Sequence, residues 1–103
     1  MLIAYSKSGI PIRITRERWS HIANRHPEME NQKEKVLETI AEPDLIQAGD
    51  FGERLASRLY PRTPLTRKYL TVAYREIGSE DGFLITAYFA KAPSQRRKVI
   101  WKR

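Results

Sequence analysis

His21 and His26 are the only two histidines in a chain of 103 residues, and both fall in the stretch WSHIANRHPEM. Three chemistries could use them. A metal site on one helix face wants ligands at i and i+4, as in His-Glu-x-x-His. Here the spacing is five, roughly 500° of turn, so the two rings of a regular helix diverge. The chain has no cysteine and no third histidine to complete a zinc site. Acid–base catalysis is the second use, because imidazole exchanges a proton near neutral pH. The third is structural, with His26 at a helix end or core edge and His21 on the surface. From spacing alone this plain reading outweighs catalysis.

The elements that would carry the pair can be read around it. Trp19, Ile22, Ala23 and His26 recur at i, i+3, i+4 and i+7, one face of a helix. His26 then points toward a sheet or its rim. His21 lies roughly 200° around from Trp19, on the solvent side. Thr15 is a natural N-cap and Pro27 ends the helix at His26. A second helix is expected over residues 31–41, with Val36, Leu37 and Ile40 as its apolar stripe. Ile10 to Ile14 alternates around Pro11 and reads as an edge strand. Residues 45–48 form a short strand, and 54–60, 68–77 and 83–90 alternate as longer ones. Pro61 to Thr66 is a loop, Ser79 to Gly82 a hairpin turn, and Val99 to Trp101 a last edge strand.

These elements predict a single α+β domain: two N-terminal helices packed on one face of a four- to five-stranded antiparallel sheet. The other face is expected to carry Arg58, Tyr60, Thr71, Arg75, Thr86 and Tyr88. Arginines, hydroxyls and aromatic rings together are what an RNA-binding surface uses.

The net charge of +7 favours polyanionic partners. Its distribution is uneven. Residues 28–44 hold six acids and two bases, whereas residues 91–103 hold six bases and no acid. The basic tail QRRKVIWKR is either a phosphate-binding edge or a strand edge blunted against aggregation. The lack of cysteine excludes disulfides, thiolate metal sites and a cysteine nucleophile. No signal peptide is visible, and no run approaches the ~20 apolar residues of a membrane span. A soluble cytoplasmic protein without a membrane partner is expected. Neither a glycine-rich phosphate loop nor a Gly-x-Ser-x-Gly elbow occurs.

The order of segments also carries a resemblance. W-S-H-I-x-x-R-H-P-E, then V-L-E-T-I-A-E-P-D-L-I, R-L-Y, K-Y-L-T-V and F-L-I-T-A-Y-F resemble the phage-associated nuclease-like domains of the barnase–EndoU–colicin–RelE superfamily. The likeness spans Trp19 to about Phe89. It implies an endoribonuclease, independent of metal and without cofactor, used as a toxin against tRNA or other RNA. In that family the RNA's own 2′-hydroxyl attacks the adjacent phosphate. The resemblance implies His26 and His21 as the proton-transfer groups, and helix geometry favours His26, because it faces the sheet. It implies Arg58 as the phosphate neutraliser and Thr86 as a positioning or proton-donating hydroxyl. Tyr60, Tyr88, Arg54 and Lys68 are the implied substrate contacts. An acidic antitoxin or immunity protein is the implied partner beside RNA. Two other readings stay open: a non-catalytic nucleic-acid-binding module, and a structural domain of a phage or mobile element.

Overall fold

The computed structural model describes residues 1–61 and 68–103. Most of the expected loop from Pro61 to Thr66 lies outside them. The chain opens with a β-hairpin, β1 (Leu2–Tyr5) and β2 (Pro11–Ile14). Gly9, at φ 80°, makes its turn. Next come α1 (Arg16–Arg25), a short 3₁₀ turn (Pro27–Met29) and α2 (Lys33–Ala41). The remaining strands are β3 (Leu45–Ala48), β4 (Arg54–Tyr60), β5 (Lys68–Ile77), β6 (Asp81–Ala90) and β7 (Val99–Lys102).

The expected sheet is therefore corrected. Among the described residues the strands form one seven-stranded sheet in the order β1-β2-β6-β5-β4-β3-β7. It is mixed, because β2 runs parallel to β6 through Ile12↔Gly82 and Arg13↔Phe83. The helices are not the N-terminal elements either, since the hairpin precedes them. Two physical facts hid this. Leu2–Tyr5 is a short apolar run with no alternation, so it carries no strand period. The parallel pair joins segments far apart in sequence, and such pairing leaves no local pattern.

Helix α1 forms for the expected reasons. Thr15 accepts a hydrogen bond from the Arg18 N–H at 3.0 Å and caps the helix. At the other end Pro27 disfavours helix at His26, which takes φ −131°, ψ 79°. Trp19 and Ile22 face inward.

Directly paired residues of an antiparallel ladder share a face. Pairings of Ala56, Val72 and Ala87, and of Leu70 and Phe89, define the core face. Ile12, Ile14 and Leu84 join them, under Trp19 and Ile22 of α1 and Val36 and Ile40 of α2. Gly82 matters at the parallel junction. A Cβ there would lie 2.6 Å from Ile12 Cδ1 and 2.7 Å from the Arg75 carbonyl oxygen. Among the described residues no helix is long and apolar enough to cross a membrane.

Candidate active-site cleft

Strand β2 meets β6 only at Gly82 and Phe83. Beyond that point, among the described residues, no strand pairs with the outer side of β6, and α1 packs against β6 instead. Strand β6 also carries a bulge. The register passes from Ala73↔Thr86 to Tyr74↔Leu84, so Ile85 is the extra residue. A bulge re-aims the side chains around it, and Ile85 and Thr86 both border the groove between α1 and β6.

The helix supplies the opposite wall. Arg18, His21 and Arg25 recur at i, i+3 and i+7, a stripe beside the buried Trp19–Ile22 face. All three line a cleft of about 480 Å³, together with His26, Thr86 and Tyr88. The two imidazoles thus share one cleft despite their spacing. The reason is the helix end. His26 lies just past the last helical residue, in a non-helical conformation, while its N–H still bonds the Ile22 carbonyl at 2.8 Å. The His26 ring stands 6.0 Å from the Tyr88 ring, tilted by 32°. Its Nδ1 is 3.9 Å from Glu28 Oε2. His21 is exposed at the rim.

Of the residues expected at the site, the structure therefore gathers His21, His26, Thr86 and Tyr88. It does not gather Arg58, Tyr60, Arg54 and Lys68. The pairings Arg58↔Leu70, Arg54↔Tyr74 and Tyr60↔Lys68 place all four on the core face with α2. A strand's side chains alternate, so a shift of one residue in register exchanges its faces. Arg58 donates to the Glu42 carbonyl and lies 3.5 Å from Glu38 Oε1. Arg54 Nε lies 3.9 Å from Glu76 Oε1. Both guanidiniums are thus engaged within the fold.

The cations of the cleft are Arg18 and Arg25 instead. Among the described residues neither forms an ion pair. They were legible as the i, i+3, i+7 companions of His21, had the polar stripe been followed as well as the apolar one. Among the described residues no group of three or more metal-ligating side chains occurs.

Tyr60 has a measurable structural signature. Its hydroxyl donates to Glu38 Oε1 at 2.6 Å. Burial, and next that bond to Glu38, push its pKa up to about 12. The folded state therefore holds the phenol proton more tightly than the unfolded chain. The stabilisation is complete below the ordinary tyrosine pKa near 10 and fades as pH rises from about 10 to about 12. Thermal melts from pH 8 to pH 11.5 are expected to show a Tm decline that is shallower in Tyr60→Phe. An identical slope in both proteins would contradict this assignment.

Comparison with protein-family models, with characterised proteins and with solved structures finds no match to this chain.

Proposed function

We propose that this chain is a toxin-like endoribonuclease that cleaves RNA in the α1–β6 cleft by attack of the 2′-hydroxyl on the adjacent phosphate. One observation carries the reading: two imidazoles, two guanidiniums that form no ion pair among the described residues, a threonine hydroxyl and a tyrosine ring line one open cleft. That set fits the needs of the reaction. One imidazole takes the 2′-hydroxyl proton as the new O–P bond forms. The other gives a proton to the 5′-oxygen as its bond to phosphorus breaks. The products are a 2′,3′-cyclic phosphate and a 5′-hydroxyl. Arg18 and Arg25 offset the charge that builds on the pentacoordinate phosphorus, with planar forks suited to phosphate oxygens. Thr86 orients a phosphate oxygen or the attacking hydroxyl. Tyr88 offers a face for a base to stack on. The two imidazoles supply both proton transfers, so this route needs no metal. The family resemblance suggests the reaction, and the cleft suggests which residues perform it. An acidic protein covering the cleft is the matching partner.

The test is incubation of the purified protein with total cellular RNA in EDTA. A His21→Ala/His26→Ala variant, shown to be folded by circular dichroism, runs beside it. Fragments ending in 2′,3′-cyclic phosphate are expected from the wild type alone. Intact RNA from both proteins, with RNA binding retained, would replace the enzyme by a non-catalytic binding module.

A further inference from the structure

The sheet curls, and the turn at one end arches across to the strand at the other. Strands β1 and β7 are the outermost members, and six strand spacings of a flat sheet would set them ~29 Å apart. Instead Lys7, in the turn between β1 and β2, holds its Nζ 5.1 Å from the centre of the Trp101 ring on β7. The turn is anchored in place. Ser6 is buried, and its hydroxyl donates to Glu76 Oε2 of β5 at 2.5 Å and accepts from the Ile10 N–H at 3.3 Å. A hollow of about 230 Å³ is left at this seam. Lys7 stands on its turn side, Ile100 and Trp101 on its β7 side, and Arg54, Tyr74 and Glu76 of β4 and β5 between them. None of these residues lines the α1–β6 cleft.

Tyr74 is what marks this hollow as a site. It belongs to the hydrophobic core and is only 1 % exposed. Among the described residues neither its hydroxyl nor the Arg54 guanidinium makes a hydrogen bond. No buried side-chain oxygen or nitrogen among them lacks a partner. The unpaired Tyr74 hydroxyl therefore touches open space, and the hollow is the space this residue lines. Burial, and next the charge of Glu76, hold its pKa far above the ordinary tyrosine value, so it is a proton donor to any occupant at neutral pH. Arg54 turns its Nε to Glu76 at 3.9 Å, which leaves the two terminal amino groups of its fork. Glu76 is taken up by Ser6 and Arg54. Lys7 also reaches Glu42 Oε2 at 3.3 Å, outside the hollow. Two cations against one carboxylate make the lining net positive.

We propose that the seam hollow binds a small single-ring anion, its charged group held by Arg54, Lys7 and the Tyr74 hydroxyl and its ring against Trp101 and Ile100. The planar fork of an arginine takes two oxygens of a carboxylate or a phosphate side by side. Size follows from the volume. Sites for drug-sized ligands run to about 300–1,000 Å³, so this smaller one admits one ring and one charged group. The site goes beyond the ribonuclease reading and does not depend on it.

The test is a titration of the full chain followed by NMR at the indole N–H signals of its two tryptophans, Trp19 and Trp101, told apart with Trp101→Phe. Benzoate and phenyl phosphate are the probes, and phenol and acetate supply the ring and the charge alone. At least one of the two anions is expected to shift the Trp101 signal saturably in the millimolar range, as about ten heavy atoms allow, and to leave Trp19 in place. Whichever binds tighter names the charged group, carboxylate or phosphate. Phenol and acetate should bind at least about tenfold more weakly, since each lacks one half of the contacts. Arg54→Gln should weaken the anion at least about tenfold and leave phenol unchanged. Tyr74→Phe keeps the ring and its packing, so it folds even if Arg54→Gln does not, and it should weaken the anion at least about threefold. Lys33→Ala, which removes the cation over Trp19, should change nothing. No saturable shift with either anion, equal affinity for the anion and phenol, equal shifts at both indoles, or full affinity in Tyr74→Phe would each overturn the site.

Discussion

If the proposed reaction holds, replacing His26 by alanine is expected to slow RNA cleavage by about 10²–10⁴-fold, and replacing His21 to do the same, because each would remove one of the two proposed proton-transfer groups. The loss cannot be blamed on unfolding. His21 is exposed, and the His26 side chain keeps 35 % of its surface open to solvent. Neither belongs to the hydrophobic core, so both variants should melt close to the wild type. Cleavage rates within a few-fold of wild type in both variants would remove the imidazoles from the mechanism.

Gly82→Ala should destabilise the fold. The new carbon would meet Ile12 Cδ1 at 2.6 Å and the Arg75 carbonyl oxygen at 2.7 Å. The isoleucine tip can rotate, but it is fully buried. The carbonyl belongs to the paired strand β5 and cannot move without breaking the ladder. Overpacking of this kind costs about 1–3 kcal/mol. For a domain of this size, 1 kcal/mol is worth about 4–8 °C, so Tm should fall by roughly 5–20 °C. The same junction fixes β2, and α1 follows β2 through Thr15. Cleavage should therefore fall together with stability. Gly78→Ala is the comparison. Gly78 has φ 69° but nothing within 4 Å of an added Cβ, so only the backbone strain of about 1 kcal/mol applies. A Gly82→Ala protein that melts no lower than Gly78→Ala would refute the close approach.

Local features of the chain were legible because local physics sets them. The Thr15 cap, the stop at Pro27 and the strands 45–48, 54–60 and 68–77 all follow from side-chain type and period. What failed was long-range. Strand β4 is buried on both faces at Leu55, Ala56 and Ser57, so its alternation did not reveal which side meets the helices. Arg58 and Tyr60 were consequently assigned to the wrong face. The bulge at Ile85 broke the period of β6, yet it is what brings Thr86 into the cleft beside Ile85. His21 and His26 illustrate the same limit in reverse. Their spacing argued against a pair, and only the non-helical conformation at the helix end lets both reach one cleft.

The strand order has a kinetic consequence. The cleft is built from α1 near one end of the sequence and β6 near the other, and the outer strands β1–β2 and β7 close the sheet from opposite ends of the chain. Pairings over such long stretches raise the contact order, and loop closure must be met before they give any return. A ribosome-bound chain that stops short of Tyr88 has one wall of the cleft and no other. The cleft is therefore complete only after synthesis has passed β6.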